Sequence, residues 1–414
     1  MMENPFANPG MEGGMNLSRT AGKSSQSFYY LRPGADYEPF ELPQENPFPA
    51  YFIPLTKRQE QRAARWLSKG FIISMRDHGF IVPKRPQDII AYCRQPHTFY
   101  NYEGLRASGL NLIFDNFMDG ISLITSKQGG KWEDAIANLG IRLCDLEKQE
   151  GFALVRSVRD LDRLLESREE IGILASMETS TAIENELDRI DMLYGFGIRC
   201  MGITYNNANT LGCGLSEEHD GGLTAFGRKA VKRMNDLGIV IDISHCGPKT
   251  AMDVVRASEH PVLITHTGAK GLWKSPRMAS DELLRAVAEK GGVIGVCAAP
   301  NTTLRGEGNA HTIEDVMAHF QYIVDLVGID HVGIGSDTFY GDHVALQHAF
   351  DTRLMLSDSH GDVPEGAITH VTGAENPNEA TANIVRWLIK HRYSDADIEK
   401  VLSLNVLRVL RQVL

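Results

Sequence analysis

The sequence predicts an α/β protein built on a (β/α)8 TIM barrel with an N-terminal extension. Short runs rich in Val and Ile alternate with segments of helical pattern, and eight such runs occur between residues 71 and 336. Near-continuous apolar runs of this length are typical of parallel strands that helices cover on both faces. Alternating strands and helices predict a parallel sheet with right-handed crossovers, and eight strands are the number that closes this barrel.

The strands and helices follow one another in a regular order. Two linking segments, 224–238 and 281–292, have helical patterns that end on glycine, as a helix C-cap does. Ser394 is predicted to cap the first of the closing helices. The eight predicted strands are 71–76, 110–117, 171–177, 198–204, 239–244, 262–265, 292–297 and 331–336.

The first part of the chain differs from the rest in composition. Pro, Gly, Asn and Ser dominate residues 1–50, as in "ENPFANPGMEGGMNLSRTAGKSSQ". A segment of this composition cannot bury enough apolar surface to fold alone. We therefore expect residues 1–55 to form an extended arm and residues 56–414 to form the barrel domain.

Charge and cysteine content limit the possible partners and compartment. The formal net charge is -11, whereas nucleic-acid-binding proteins are typically basic, so no nucleic-acid partner is expected. No apolar run is long enough to cross a bilayer and no signal peptide is recognisable, so a membrane association is not expected either. The six cysteines show no CxxC spacing and are interpreted as free thiols. A cytoplasmic location is the resulting expectation.

Polar residues accumulate where the predicted strands end. In a TIM barrel these ends share one rim, where active sites form. Any single histidine there could be a structural residue, but chance convergence of the whole set on one rim is improbable. The set comprises Arg76, Asp77 and His78 after strand one, Asp115 and Asn116 on strand two, Glu178 after strand three, Tyr205 and Asn206 after strand four, and His245, His266 and Asp337 after strands five, six and eight.

This set suits metal-assisted hydrolysis. Glu178, His245 and His266 supply one carboxylate and two imidazoles, which with a water molecule make a catalytic zinc pattern. Asp337 would handle the proton of the attacking water. Asp242 lies within its strand, so it is predicted to support a neighbouring ligand or a core network.

The same residues carry a resemblance to a known family. The sequence from about residue 171 to the end resembles the membrane (renal) dipeptidases, which are zinc metallopeptidases with a TIM barrel of the metallo-dependent hydrolase type. The segment "SGLNLIFDNFMDG" matches the second strand of that family and extends the resemblance to near residue 71. The matching segments are "GILASMETSTAI", "LYGFGIRCMGITYNNANTLG", "GGLTAFGRKAVKRMNDLGIVIDISHCG", "PVLITHTGAK", "SPRMASDELLRAV", "DHVGIGSDTFYG" and "YSDADIEKVLSLNVLRVL".

The resemblance implies a role for each matching position. Glu178 matches the carboxylate that bridges two zinc ions, and His245 and His266 match the two histidines of one zinc site. Asp337 matches the aspartate that transfers protons. Arg277, in "SPRMASDE", matches the arginine that holds the terminal carboxylate of the substrate, for which a guanidinium is suited.

Two positions depart from the family pattern. Members carry His-x-Asp after the first strand as ligands of the second zinc, but this chain has Arg76 and His78 in "SMRDHG". Arginine cannot bind a metal, and Arg76 could instead neutralise Glu178. Alternatively the loop shifts by one residue, and Asp77 and His78 become ligands in reversed order. One zinc site is therefore expected, with the second in question and His78 as its candidate ligand.

The second departure is Tyr205, where many members have a histidine that polarises the scissile carbonyl. The phenol of Tyr205 could donate a hydrogen bond to a developing oxyanion, or it could simply pack. Tyr205 and its neighbour Asn206 are also predicted to contact substrate.

Three functional hypotheses follow from these residues. The first is a zinc-dependent dipeptidase acting on dipeptides or similar small amides with a free carboxylate. The second is a divergent metal-dependent amidohydrolase or a tailoring enzyme of specialised metabolism. The third is a catalytically silent barrel that binds a small molecule or a protein. Family members are commonly dimers, so a homodimer is also an expectation.

Overall fold

The computed structural model describes residues 26–43, 46–117, 130–306, 310–354 and 368–414. The strands are β1 (Ile73–Ser74), β2 (Leu112–Asn116), β3 (Phe152–Leu154), β4 (Ile171–Met177), β5 (Cys200–Gly202), β6 (Val240–Asp242), β7 (Leu263–Thr267), β8 (Val293–Val296), β9 (His311–Thr312), β10 (Val332–Ile334) and β11 (Val371–Thr372). The helices are α1 (Lys57–Lys69), α2 (Ile89–Arg94), α3 (Tyr102–Ala107), α4 (Trp132–Glu147), α5 (Val158–Ser167), α6 (Asp188–Phe196), α7 (Ala225–Leu237), α8 (Pro248–Ala257), α9 (Asp281–Glu289), α10 (Ile313–Val327), α11 (His343–Leu354), α12 (Pro377–Lys390), α13 (Asp395–Glu399) and α14 (Asn405–Val413).

Eight parallel strands close into a barrel, which confirms the predicted fold class. Around the ring the order is β1, β2, β4, β5, β6, β7, β8 and β10. The ring closes where β10 pairs with β1, through Ser74 opposite Ile334. These eight strands are the eight that the sequence predicts, although β7 extends to Thr267 rather than ending at 265. Their carboxyl ends therefore meet at one rim, as the site prediction requires.

Three short strands lie outside this ring. β3 pairs with the first half of β4, and β9 pairs in parallel with β11. None of these three strands is among the eight that the sequence predicts.

The helices of the two linking segments and the first closing helix lie where the sequence predicts them, but only the first linking helix ends on a glycine C-cap. α9 ends at Glu289 with Lys290 at its C-cap position, followed by Gly291 at φ 81°. α7 ends at Gly238, whose φ of 74° is the left-handed conformation that a glycine C-cap provides. α9 begins after Ser280, whose side chain accepts a hydrogen bond from the Leu283 backbone. The Ser394 side chain caps α13 by accepting from the backbone N–H of Asp397.

A separate apolar cluster packs over the carboxyl-end rim of the barrel. It is distinct from the two larger clusters formed by the strands and surrounding helices. We refer to it as the rim cluster, and it consists of Val82, Ile89, Tyr92, Cys93, Phe339 and Leu346, with Phe80 and Phe99 among the side chains packed against it. Because it is built from the segments that follow β1 and β10, it covers one side of the rim.

The segment before α1 is attached to the barrel domain by buried contacts. Ile53 is fully buried, and its backbone N–H donates to Asn383 Oδ1 at 2.8 Å. Near the start of the described chain, the Phe28 backbone N–H donates to Asp145 Oδ1 at 2.7 Å. The division into an arm of residues 1–55 and a barrel of residues 56–414 stays a prediction, and residues 1–25 lie outside the described chain.

Two further observations concern the described helices and the cysteines. Within the described ranges, none of the helices combines the length and apolar character that crossing a bilayer requires. All six cysteines are in the described chain, and all six are free thiols.

Candidate metal centre

The candidate site lies in a cavity at the carboxyl ends of the barrel strands. Its polar side chains come from different strands, which is how a TIM barrel assembles a site. Glu178 follows β4, His245 follows β6, His266 lies in β7 and Asp337 follows β10. Glu178, His245, Asp337, Arg277 and Tyr205 line the cavity, whereas His266 is fully buried beside them.

Glu178, His245 and His266 form a compact group. Glu178 Oε1 lies 2.9 Å from His245 Nε2 and 3.2 Å from His266 Nε2. The two Nε2 atoms are 3.0 Å apart. Among the described residues, this is the group of His, Cys, Asp and Glu side chains whose ligand atoms lie close enough together to hold one metal ion.

Hydrogen bonds to the other ring nitrogens fix how the two imidazoles are protonated. His245 Nδ1 lies 2.8 Å from Asn206 Oδ1, an acceptor, so Nδ1 carries the proton. His266 Nδ1 lies 2.8 Å from Thr265 Oγ1, whose own proton goes to Asp242 Oδ2 at 2.6 Å. Nδ1 of His266 is therefore the donor as well. Both Nε2 atoms are left as lone pairs that face the centre of the group.

The protonation states suit a cation at the centre. Burial and the nearby charge of Arg277 lower the pKa of His245 to about 3, and burial lowers the pKa of His266. Burial alone would raise the pKa of Glu178, but the Arg76 guanidinium holds it well below its usual value. At neutral pH one carboxylate and two neutral imidazoles thus face one another with no donor between them. A divalent cation fits this donor set, which has the ligand types that zinc prefers.

Asn116 hydrogen-bonds to the second carboxylate oxygen of Glu178. Its Nδ2 donates to Glu178 Oε2 at 2.8 Å, while Oε1 faces the two histidines. The carboxylate therefore presents one oxygen to the group. The sequence placed Asn116 at a strand end but gave it no role, because contact with Glu178 depends on the pairing of β2 with β4.

Arg76 lies inside the barrel. Its side chain is 1% exposed and pairs with Asp242, with Nη2 3.2 Å from Oδ2. Asp242 also accepts from the Ser244 and Thr265 hydroxyls, at 2.5 and 2.6 Å. It therefore supports His266 through Thr265 and also holds the charge of Arg76. Burial would lower the pKa of Arg76, but Glu178 and Asp242 raise it above its ordinary value, so the guanidinium keeps its positive charge.

His78 lies between two carboxylates and is not part of the group formed by Glu178, His245 and His266. Its Nδ1 is 3.3 Å from Asp115 Oδ1, and its Nε2 is 3.3 Å from Asp337 Oδ1. Burial would lower the pKa of His78, but hydrogen bonds to Asp115 and Asp337 raise it to about 10. Asp77 points elsewhere, since its Oδ1 accepts from the backbone and side chain of Thr338 at 2.9 and 2.6 Å.

Asp337 is held next to the group in an unusual backbone conformation. Its φ is 59°, in the left-handed region that non-glycine residues rarely adopt. Asp337 Oδ2 lies 3.9 Å from His266 Nε2, and its other oxygen faces His78. Burial would raise the pKa of Asp337, but the protonated His78 bound to its other oxygen holds it below its usual range, so the carboxylate is ionised.

The remaining predicted side chains occupy different positions relative to the cavity. Arg277 is buried, with Nη1 donating to the Ser244 carbonyl and Nη2 to the His266 carbonyl, both at 3.0 Å. Tyr205 stacks on His245 with ring centroids 4.3 Å apart. The side-chain oxygen of Asn206 faces His245, as described above.

The remaining side of the cavity is partly apolar. The segment that begins at Phe339 is longer than a simple βα loop, which predicts that it shapes the cavity, and Phe339, His343 and Leu346 do line it. Cys93 of the rim cluster and Phe80, which packs against that cluster, also line the cavity, and neither was predicted from the sequence.

Comparison with known proteins supports a single family. The model of the membrane dipeptidase family (peptidase family M19) matches residues 138–356, which is more than half of the chain. The matched range begins before the motif "GILASMETSTAI" and includes it, but it stops before the last motif, "YSDADIEKVLSLNVLRVL". An uncharacterised protein encoded in the pqqA 5′ region of Klebsiella pneumoniae is 29% identical over 269 residues, covering 63% of this chain and 88% of that protein.

A named relative and a solved structure point the same way. The dipeptidase verJ of Clonostachys rogersoniana is 28% identical over 245 residues, 59% of this chain, and the match spans only 55% of verJ. The crystal structure of an amidohydrolase from Pseudomonas aeruginosa has a TM-score of 0.67 at 25% identity, over 85% of this chain and 98% of that one. A probable dipeptidase, PvdM, from the same species has a TM-score of 0.66 at 20% identity, over 87% of this chain and 99% of that one, which supports the fold alone. The chain belongs to the membrane dipeptidase family, peptidase family M19, a family of peptide-bond hydrolases.

Proposed function

We propose that this protein is a dipeptidase that uses one zinc ion to hydrolyse dipeptides or similar small amides with a free carboxylate. The observation that carries the proposal is the meeting of three acceptor atoms, Glu178 Oε1 and the Nε2 atoms of His245 and His266. Such an arrangement is electrostatically unfavourable until a cation occupies it. A zinc ion bound there would polarise the scissile carbonyl and lower the pKa of a water molecule.

Arg277 would bind the carboxylate of the substrate. Two of its N–H groups are fixed on the Ser244 and His266 carbonyls, so the guanidinium is held in one orientation. Each of these two nitrogens has a second N–H, and Arg277 lines the cavity. A guanidinium that is already immobilised loses little entropy when it binds a carboxylate.

Asp337 would act as the general base and then as the acid. It is ionised, it lies beside the group, and its second oxygen is oriented by His78. In hydrolysis it would accept a proton from the attacking water and return it to the leaving amine. The left-handed backbone at Asp337 is consistent with this role, since strained conformations persist where a side chain must be held in place.

Tyr205 and Asn206 would have separate roles beside His245. Tyr205 lies at the cavity wall, where its phenol could donate to the developing oxyanion. Asn206 is better suited to orienting His245 than to binding substrate, because its side-chain oxygen accepts from His245 Nδ1.

Three features of the site favour one metal ion over two. Glu178 Oε2, which would have to face a second ion, accepts from Asn116. The Arg76 guanidinium supplies positive charge to Glu178 from inside the barrel. Both ring nitrogens of His78 are engaged by carboxylates, with Nδ1 3.3 Å from Asp115 Oδ1 and Nε2 3.3 Å from Asp337 Oδ1. His78 as a ligand of a second zinc therefore remains the less favoured arrangement.

The first test is metal content, measured by plasma mass spectrometry on purified protein supplied with zinc. We expect about one zinc per chain in the unsubstituted protein and in His78→Ala, and none in Glu178→Ala. Glu184→Ala is the matched control, because Glu184 lies nearby but pairs with Arg189 at an exposed position. Two metals per chain, one of which is lost in His78→Ala, would contradict the single-metal proposal.

The second test is hydrolysis of a dipeptide panel, followed by chromatography of the released amino acids. We expect activity that Glu178→Ala abolishes and that Asp337→Asn reduces by several orders of magnitude while zinc remains bound. Bound zinc with no hydrolysis of dipeptides or of their amide analogues would instead favour the binding-protein or tailoring-enzyme hypotheses.

A further inference from the structure

The rim cluster forms one wall of the cavity that holds the candidate metal centre. Phe80, Cys93, Phe339 and Leu346 all line the cavity and belong to this cluster. The Phe80 and Phe339 rings pack edge to face with centroids 6.2 Å apart. The centroid of Phe339 is 6.5 Å from that of His78, so the wall begins directly beside Asp337 and its partner.

This apolar wall lies across the barrel from Arg277. The wall is built from the segments that follow β1 and β10, which are neighbours in the ring. Arg277 follows β7 and is fixed to backbone carbonyls of Ser244 and His266, after β6 and in β7. In the ring, β6 lies on the far side from the junction of β1 with β10, with β2, β4 and β5 between it and β1 on one side and β7 and β8 between it and β10 on the other. A substrate that places its carboxylate on Arg277 and its amide at the metal centre would therefore extend its acyl side toward the wall.

The four wall residues, Phe80, Cys93, Phe339 and Leu346, have no charged group to offer a substrate. The polar lining residues on this side are His343 and Gln347 of α11, and the Phe339 ring packs on His343 with centroids 4.3 Å apart. The carboxylates among the described lining residues are already engaged. Glu178 contacts both histidines and Asn116, and Asp337 contacts His78. A polar side chain buried against this wall would lose hydrogen bonds to water, whereas an apolar one would gain by leaving water.

We infer that the rim cluster is a specificity subsite for an apolar side chain on the acyl side of the scissile amide. The inference rests on the proposed function and narrows its substrate class to dipeptides whose first residue is apolar, with the carboxylate of the second residue on Arg277. Phe80 is the residue of choice for a test, because it lines the cavity and is only partly buried.

Leu-Gly and Asn-Gly make a matched pair of substrates, since the two first side chains have nearly the same shape and differ in polarity. With zinc-loaded protein we expect kcat/KM for Leu-Gly to exceed that for Asn-Gly by roughly tenfold or more, as one or two buried methyl groups provide. In Phe80→Ser this ratio should fall toward one. Equal kcat/KM values in the unsubstituted protein would overturn the inference.

Phe99→Ser is the matched control variant. Phe99 packs against the same cluster and against the Phe28 and Tyr37 rings, with centroids 5.7 and 5.4 Å away, but it is not a cavity-lining residue. Its loss removes a similar amount of apolar packing and should leave the Leu-Gly to Asn-Gly ratio unchanged. A ratio that changes equally in both variants, or in neither, would contradict the subsite.

Calorimetric binding of the same two dipeptides to metal-free protein separates this inference from the proposed function. Tighter binding of Leu-Gly that Phe80→Ser removes would uphold the subsite even if neither dipeptide were hydrolysed, in which case the proposed function would fail alone. Equal binding of the two dipeptides together with their hydrolysis would support the dipeptidase function and contradict the subsite. Equal binding of the two dipeptides without hydrolysis would contradict both the subsite and the proposed function.

Discussion

At the scale of single residues, Arg76 is the most unusual side chain of the barrel interior. It pairs with Asp242, yet its Nε and Nη1 atoms hydrogen-bond to no partner among the described residues. A buried ion pair with unsatisfied donors is a poor source of stability, because desolvation opposes the attraction. The position of this charge near Glu178 and Asp242 is better explained by electrostatic control of the candidate metal centre than by folding.

Breaking the Arg76 pair should nevertheless destabilise the protein. Arg76→Met leaves Asp242 buried with its hydroxyl donors but without its counter-charge, and we expect the free energy of unfolding to fall by about 3–5 kcal/mol. Denaturant unfolding of the metal-free protein measures the change. Arg65→Met is the control, because Arg65 pairs with Asp395 at an exposed position, and its loss should cost less than about 1 kcal/mol. Equal losses in the two variants would contradict the account of Arg76.

His78 should give the fold a distinctive dependence on pH. Its pKa is about 10 in the folded protein and 6.5 in its ordinary state, so its protonated form stabilises the fold. The stabilisation is fully present below about pH 6.5 and is lost as the pH rises to about 10. We therefore expect the unfolding free energy of the unsubstituted protein to fall relative to His78→Gln across this window, by a few kcal/mol.

Denaturant midpoints of metal-free protein at several pH values between 6 and 10 test this expectation. His391→Gln is the control, since His391 Nδ1 lies 2.9 Å from the Trp387 carbonyl rather than from a carboxylate. That variant should run parallel to the unsubstituted protein. Parallel curves for His78→Gln as well would mean that Asp115 and Asp337 do not hold a proton on His78.

At the scale of secondary structure, a short strand determines where Glu178 can lie. A Cβ atom added to Gly202, the last residue of β5, would come 1.8 Å from the Glu178 carbonyl oxygen. The neighbouring strand can therefore approach the residue after β4 only because position 202 has no side chain. Glu178 is thus positioned by its own strand and by the glycine of the next one.

Gly202→Ala should consequently affect both stability and metal binding. We expect the unfolding free energy to fall by about 1–3 kcal/mol, since the backbone must move to remove the overlap, and zinc content to drop below one per chain. Gly140→Ala is the control, because a Cβ at this exposed position of α4 would meet no other atom within 4 Å. Alanine is the better helix former, so Gly140→Ala should bind zinc normally and gain up to about 1 kcal/mol.

The same scale explains what could be predicted from the sequence. The eight ring strands were recognisable because Val/Ile-rich runs report burial on both faces, and parallel pairing then brings Glu178, His245, His266 and Asp337 to one rim. The contact of Asn116 with Glu178 was not predictable, because it depends on side-chain rotamers across two strands. The rim cluster was also missed, because it joins segments that are distant in the chain, around Cys93 and Leu346.

At the scale of the whole molecule, one buried asparagine connects the segment before α1 to the barrel domain. Asn383 of α12 accepts from the Ile53 backbone N–H at 2.8 Å, and its Nδ2 donates to the carbonyls of Tyr51 and Gly373 at 2.7 and 2.8 Å. Arg386, one turn further along α12, donates to the Ile53 carbonyl at 2.7 Å. None of these contacts bears on the predicted homodimer. It stays a prediction, which light scattering of the purified protein would test.

Replacing Asn383 tests whether residues 46–55 are an arm or part of the barrel fold. Asn383→Leu has a similar shape but leaves three backbone groups without their side-chain partner, two of them in buried hydrogen bonds, so we expect a loss of about 2–3 kcal/mol in unfolding free energy. If these residues are a separable arm, limited proteolysis should cut the variant near residues 46–53, while the remaining chain binds one zinc and unfolds in a single transition. Gln61→Leu, at an exposed position of α1, should show neither the loss nor the cleavage. Loss of zinc binding together with cleavage would mean instead that the segment is an integral part of the barrel domain, and that the domain begins before residue 56.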